Sequence, residues 1–334
     1  MLIFSGSSNL PLAKKVANQL GSPLSKIEIH TFPDRENRVR IIDKVLDKDV
    51  IVVQSTGVSP NRFYMELFFI LDGLKRSGAR SVTLISPYLG YQRQDHIFRS
   101  GEAVSLEVIV NLLKTLRVDS VISLDLHSLR IEEFFKTKKI KLSHLSALSV
   151  FAKEVEKIAG FRKRDMVSQP VSASSNVGRQ TILASKTLDY NDIVLVSPDM
   201  GGIRRIKQLA EMLDGKFPYV SIEKNRDLSS GEVESVKING KVGKTAIIVD
   251  DMISTGKTLI AAADLLSKNG AEEIYVMATH GILSGNSSQD LQNSIIKKVI
   301  ITDSIGIRPN RRFGKLEVIS VANLIAGELK ATSH

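Results

Sequence analysis

Along nearly the whole chain, short apolar runs rich in β-branched residues alternate with stretches whose apolar positions recur every three or four residues. The first pattern suits a strand that buries one or both faces, and the second suits a helix that buries a stripe. In the first half the runs predict strands over residues 2–4, 27–31, 50–54, 82–86 and 120–125, with helices over 10–20, 62–77 and 103–116. Ser77-Gly78 reads as a glycine stop for the helix that begins at Arg62. In the second half strands are predicted over 193–196, 219–222, 246–249, 274–278 and 299–302, and helices over 147–158, 202–213 and 258–268. Units of this kind build a mainly parallel sheet flanked by helices, so the fold class is α/β. The 334 residues suffice for two domains. We place the boundary near 144–150, which divides the chain into 1–146 and 147–334. The halves follow a similar order of elements, which suggests an ancient duplication, although no close internal repeat in residue identity is visible. Residues 161–192 fit least well, because VSQPVSASSNVGRQ is rich in small polar residues and reads as a loop excursion.

Composition narrows the class. A chain that is 43% hydrophobic and 25% charged has too much apolar material for wholesale disorder. Zero cysteines exclude disulfides, thiolate metal sites and cysteine nucleophiles, and they suit a reducing cytoplasm. The start MLIFSGSSNL lacks the basic and apolar regions of a secretory signal, and the apolar run 63–74 is interrupted by Glu66 and Asp72. No membrane partner is expected. The net charge of +10 fits either a nucleic-acid surface or pockets for small polyanions. Basic runs at 136–141 and 162–164 suit solvated surface equally well. With aromatics at 5% and no tryptophan, stacking platforms for single strands are poor, and no nucleic-acid partner is expected.

The most informative stretch is AIIVDDMISTGKT, residues 246–258. An apolar strand runs into Asp250-Asp251, then into the small-residue turn Ser254-Thr255-Gly256-Lys257-Thr258, where a helix begins near Thr258. Ligands of open α/β sheets sit beyond the carboxyl ends of strands. Backbone amides and hydroxyls of such a turn suit one phosphate at a helix N-terminus. The two carboxylates then suit ribose hydroxyls or a Mg²⁺ shared with the ligand. The plainer reading is a helix capped by Ser254 or Thr255 with a solvated acidic pair. A P-loop is excluded, because the pattern GxxxxGK[ST] meets Asp251 for one match and Ile238 for the other.

The stretch resembles the phosphoribosyl-pyrophosphate (PRPP) binding motif of phosphoribosyltransferases and PRPP synthases. FPDRENRVRI (32–41), QSTGVSPNRFYMEL (54–67), SPYLGYQRQD (86–95), DLHS (125–128), VSPDMGG (196–202) and ATHGILSGNSSQDLQNS (278–294) are similar, in order and spacing, to the ribose-phosphate pyrophosphokinase family. The resemblance spans nearly all of the chain except about 161–190, and it implies two phosphoribosyltransferase-like domains. It also implies Mg²⁺-dependent transfer of the pyrophosphoryl group of ATP to the 1-hydroxyl of ribose 5-phosphate, in a cytoplasmic homo-oligomer.

By that resemblance Phe32, Asp34, Arg35 and Glu36 hold the adenine end of ATP on a loop supplied by a neighbouring subunit. Arg93, Gln94 and Asp95 contact ATP, and His127, Asp125 and Asp199 belong to the metal site. Asp199 also reads as a helix cap before Gly201-Gly202. Asp250, Asp251, Ser254, Thr255, Gly256, Lys257 and Thr258 take ribose 5-phosphate. Lys224 and Arg226, just beyond the strand that is predicted to end at Ile222, match the catalytic pair of a flexible loop. Two positions depart from the common pattern: Ser254 stands where many relatives have Asp, and Lys257 where they have Gly. FFKTKK lacks the acidic residues that some relatives carry there. Lys257 keeps a rival open, a catalytically weak homologue that regulates an active partner.

Overall fold

The computed structural model describes residues 1–167, 192–226 and 233–332. The first half runs β1 (Leu2–Ser5), α1 (Leu10–Gln19), β2 (Ile27–Thr31), β3 (Asn37–Ile41), β4 (Asp49–Val53), α2 (Pro60–Arg76), β5 (Ser81–Ile85), α3 (Ser105–Thr115), β6 (Ser120–Leu124), α4 (Arg130–Thr137), β7 (Lys141–Leu145) and α5 (Leu148–Val167). The second runs β8 (Ile193–Ser197), α6 (Ile203–Met212), β9 (Tyr219–Arg226), β10 (Val233–Asn239), β11 (Thr245–Ile253), α7 (Lys257–Lys268), β12 (Glu273–Gly281), α8 (Ser287–Asn293), β13 (Lys298–Thr302), β14 (Leu316–Ile319) and α9 (Ala322–Thr332). A 3₁₀ turn at Pro309–Arg311 stands between β13 and β14.

The strands form a five-stranded sheet in the order β1-β4-β5-β6-β7 and a seven-stranded sheet in the order β10-β9-β8-β11-β12-β13-β14. Every neighbouring pair is parallel except β9–β10, and the antiparallel hairpin β2–β3 stands apart. Taken element by element, the halves repeat one plan. The main departure is the hairpin, which is detached in the first half and joined to the sheet edge in the second. The α/β fold with parallel sheets and flanking helices is the expected one.

Alternation along the strands decides which face buries what. Ile3, Ile51, Val53, Ile85 and Ile122 enter one cluster, while Phe4, Val50, Val52, Leu84 and Val121 enter another under α2 and α3. The first cluster also takes Leu12 of α1, Phe151 and Val155 of α5, Leu209 of α6 and Ile325 of α9, together with Leu195, Val249 and Met277 of the second sheet. A shared helical layer thus binds the two sheets. Each fully buried aliphatic side chain there contributes ~1.5–3 kcal/mol of transfer free energy.

Seven elements go beyond the periodicity reading: β3, α4, β7, β10, α8, β14 and α9. Most present weak patterns. In α4 only Ile131 and Phe135 are buried, in α8 only Ser287 and Leu291, and β14 is half-buried throughout. The strand predicted to end at Ile222 continues to Arg226, and α5 continues to Val167. The excursion read at 161–192 otherwise lies outside the described residues from 168 to 191. No helix among the described residues is long and apolar enough to cross a membrane.

Candidate active site

The carboxyl ends of the two sheets meet, and the acidic turn lies at that meeting. β11 is buried along almost its whole length and carries Asp250 and Asp251 near its carboxyl end, two residues short of its last residue, Ile253. Gly256 then caps α7 with φ of +77°, a left-handed conformation that costs glycine little. Neither Ser254 nor Thr255 caps the helix by a side-chain hydrogen bond, and Ser254 Oγ instead pairs with Ser284 Oγ at 3.0 Å. The plainer reading of this turn as a side-chain cap is therefore not what the fold does. The first amides of α7 keep their capacity for an anion, and Thr255 and Thr258 are exposed beside them. The helix begins at Lys257 rather than Thr258. Lys257 is exposed and lines a shallow groove between α7 and α8 that also contains Asp264 and Asp290.

The acidic pair is asymmetric. Arg205, from the first turn of α6, approaches Asp250 at 3.4 Å and Asp251 at 3.9 Å. His127 Nδ1 donates to Asp251 Oδ2 at 2.8 Å, across 124 positions of sequence. Burial alone raises the Asp251 carboxyl, but the hydrogen bond from His127 and the charge of Arg205 outweigh it and hold the group well below the usual range. Asp250 is pushed well above that range, first by burial and then by the charge of Asp251. One proton is thus easier to place on Asp250 than on its neighbour.

His127 is held from behind: its backbone N–H donates to Gln92 Oε1 at 3.1 Å. Ser128 Oγ donates to Asp95, which also pairs with His96 Nδ1 at 2.6 Å. Burial raises the Asp95 carboxyl, and the bonds from Ser128 and His96 overcome it to leave a net lowering. A cavity of about 680 Å³ opens beside His127, with Ser128, Gly201, Arg204 and Arg205 among its walls. Arg93 and Gln94 are exposed on the loop that carries Asp95, and Gln94 Oε1 accepts from Ser105 Oγ at 2.7 Å.

The expected metal residues divide. Asp125 is turned into the fold: its oxygens accept from Ser146 Oγ at 2.9 Å, Ala147 N at 2.9 Å and Thr279 Oγ1 at 2.6 Å. A carboxylate so occupied ties the two halves together and has little left for a metal. Asp199 is exposed, and its Oδ1 accepts from Gly202 N at 3.1 Å, closing the turn into α6. The adenine-loop residues form the tip of the β2–β3 hairpin, where Asp34 Oδ1 accepts from Glu36 N at 3.1 Å and Arg35 has φ of +74°. Phe32, Asp34, Arg35 and Glu36 are exposed there and do not line the His127 cavity. Lys224 and Arg226 lie within β9, opposite Val236 and Val233 of β10, rather than beyond the strand. Their side chains lie outside the described residues.

Comparison with known proteins decides the family. A model of the N-terminal domain of ribose phosphate pyrophosphokinase matches residues 1–116, and one of the phosphoribosyl synthetase-associated domain matches 220–333. Ribose-phosphate pyrophosphokinase of Fusobacterium nucleatum is 35% identical over 328 residues, which is 98% of this chain and 93% of that protein. The Bacillus caldolyticus protein of the same name is 36% identical over 97% of this chain and 92% of its own length. The chain belongs to the ribose-phosphate pyrophosphokinase family. A crystal structure of phosphoribosylpyrophosphate synthetase from Mycobacterium smegmatis agrees with the fold at a TM-score of 0.83, with 32% identity, covering 99% of this chain and 98% of that one.

The donor set fits the Mg²⁺ that the family implies. Among the described residues no three acidic or histidine side chains form a metal cage, and Mg²⁺ commonly binds through one or two protein groups plus waters and phosphates. Asp199 keeps Oδ2 without a hydrogen-bond partner among the described residues. His127 spends Nδ1 on Asp251, an arrangement that orients the other ring nitrogen. Sequence reasoning missed Arg205, Gln92 and Ser128. Arg204-Arg205, one residue after Gly201-Gly202, was a usable signal, because cations in the first turn of a helix oppose its dipole and need another reason to be there.

Proposed function

We infer that this chain performs its family's reaction by transferring the β,γ-pyrophosphoryl group of ATP to the 1-hydroxyl of ribose 5-phosphate, giving PRPP and AMP. The observation that carries the reading is the 2.8 Å contact of His127 with Asp251. It joins the loop of the ATP-type half to the acidic turn of the sugar-phosphate half, so both substrates have one place to meet.

Each part has a task. Asp250 and Asp251 accept from the vicinal hydroxyls of ribose, with Arg205 beside them as counter-charge. Ser254, Thr255, Gly256 and Thr258 surround the 5-phosphate at the start of α7, and Lys257 adds a cation there. Arg93 and Gln94 meet the nucleotide beside His127, with Asp95 behind them tied to Ser128 and His96, and Phe32, Asp34, Arg35 and Glu36 receive its adenine from a neighbouring subunit of a homo-oligomer. His127 and Asp199 are the groups that would hold Mg²⁺, which when bound offsets charge on the phosphates of ATP. Lys224 and Arg226 bring cations to the transferring group. As the sugar oxygen bonds to the β-phosphorus and gives up its proton to solvent, the bond from that phosphorus to the α,β-bridging oxygen breaks and AMP leaves with the electron pair. Most of the acceleration comes from alignment, because both substrates are fixed before bond making. The reaction is placed in the cytoplasm.

Incubation with Mg-ATP and ribose 5-phosphate tests this directly. AMP and PRPP are expected in equal amounts. Primary formation of ADP, or no sugar-dependent turnover under any phosphate condition, would overturn the assignment and favour a regulatory homologue.

A further inference from the structure

The two halves, matched by element order, pair β4 with β11 and α2 with α7, because the sheets run β1-β4-β5-β6-β7 and β8-β11-β12-β13-β14. The turn after β11 contains Ser254-Thr255-Gly256, and the turn after β4 contains Ser55-Thr56-Gly57, the same tripeptide in the corresponding place. The loops that face these turns also correspond. Asp125, after β6, accepts from Ala147 N at 2.9 Å, and Asp303, after β13, accepts from Val321 N at 2.9 Å. The β6 loop carries His127 to the acidic turn, while the β13 loop carries Arg308 to Ser59 at the start of α2.

We propose that the crevice at this second turn binds a phosphate dianion, either free or as the end of a small phosphate monoester. A cavity of about 440 Å³ lies there, with Ser8, Ser55, Gly57, Arg62 and Arg308 among its walls. Ser55 is only 2% exposed, and its hydroxyl has no hydrogen-bond partner, a cost that a bound oxyanion removes. Two cations from opposite halves line the same space, and among the described residues neither has a carboxylate partner. Arg308 donates to Ser59 Oγ at 3.2 Å, and Arg62 lies over the Phe63 ring at 5.6 Å. The 17-residue helix α2 starts at this point without a side-chain cap. The nearest acid on α2, Glu66, is fully buried, does not line the cavity, and is bonded to Ser7 N and Oγ at 2.6 Å each and to Gln54 Nε2 at 2.9 Å. Thr56 is likewise committed, accepting from Gly90 N at 2.8 Å. Ser55 and the two arginines are what remains for a ligand.

This crevice is separate from the acidic turn, and the proposal stands on its own residues whether or not 254–258 holds the sugar phosphate. Its Ile305 packs with Tyr88 and with Met252, the residue after Asp251.

Equilibrium dialysis of the full chain against radiolabelled orthophosphate, at constant ionic strength, tests the proposal. Arg62→Gln with Arg308→Gln should weaken one class of bound phosphate roughly ten-fold or more, while turnover of Mg-ATP with ribose 5-phosphate persists. Gly256→Val should abolish turnover and leave this class in place, so failure of one site is distinguishable from failure of the other. A binding isotherm unchanged by the paired arginine substitutions overturns the proposal. Should that variant not fold, crystals of the unaltered protein grown in orthophosphate decide: density between Arg62 and Arg308 supports the site, and an empty crevice refutes it. Competition identifies the source. Displacement of the label by ribose 5-phosphate or by AMP marks a monoester, and resistance to both marks the free ion.

Discussion

His280 lies at the joint between the halves and is fully buried. Its Nδ1 faces Ser304 Oγ at 2.9 Å, its Nε2 faces the Leu124 carbonyl at 3.0 Å, and Tyr88 packs edge-on with ring centroids 4.9 Å apart. A carbonyl only accepts, so the hydrogen belongs on Nε2, and the neutral ring satisfies both contacts when Ser304 donates to Nδ1. The Thr279 carbonyl, the other acceptor near Ser304, still receives Thr302 Oγ1 at 2.7 Å. Burial pushes His280 below its ordinary value of 6.5, against the pull of Asp125 and Asp251. The folded chain therefore binds fewer protons than the unfolded chain once pH falls below that value. The stabilisation is complete above it and is lost as pH drops. One proton bounds the loss at about 1.4 kcal/mol by pH 5.5, and each kcal/mol is worth roughly 1–2 °C in Tm for a chain of this length. Thermal unfolding at pH 7.5 and 5.5 should compare the unaltered chain with His280→Gln, which keeps a donor for Leu124 and cannot titrate. The variant should be less stable at pH 7.5, where packing on Tyr88 is lost, and the gap should narrow by up to that amount at pH 5.5. Equal losses in both proteins would refute the neutral, buried assignment.

Other outcomes follow from the site. Lys224→Ala should lower turnover by ~10²–10³ with little change in ATP affinity, since its contacts strengthen as charge develops; an unchanged turnover number removes it from the mechanism. Arg205→Gln leaves buried Asp251 and half-buried Asp250 without their cation and should weaken ribose 5-phosphate binding about ten-fold, measured by calorimetry; unaltered affinity would show that the pair needs no counter-charge. Lys257→Gly should weaken the same sugar phosphate roughly ten-fold while sparing ATP, and unchanged affinity would leave the phosphate to the backbone amides and hydroxyls of the turn alone. Mixed Glu36→Ala and Lys224→Ala proteins should regain partial activity after proven subunit exchange; failure under that condition argues for self-contained sites.

Much of the molecule was legible as residues. Continuous apolar runs such as 193–196 and 246–249 could only be buried strands, and their alternation with helical stripes settled the α/β class. The order strand, Asp250-Asp251, then Ser-Thr-Gly marked the turn before a helix, and the fold has that turn between β11 and α7. Short, half-exposed elements were illegible for a physical reason: α8 buries only Ser287 and Leu291, so its polar sequence holds a helix through tertiary contact and not through its own pattern.

What the tertiary structure alone decided is how distant residues share protons, charge and bonds. Asp125 reads in sequence as a companion of His127, yet Thr279 and Ala147 take its oxygens. Asp251 is lowered because His127 and Arg205 arrive from other elements, and Asp250 is raised because burial and that same neighbour act on it. The correspondence of residues 55–57 with 254–256 emerges only when the sheet order pairs β4 with β11. Periodicity is a local property, set by which way each side chain points from its own strand or helix. Hydrogen bonds and Coulomb interactions depend on distances of a few ångströms, and only the folded chain fixes those between residues more than a hundred positions apart.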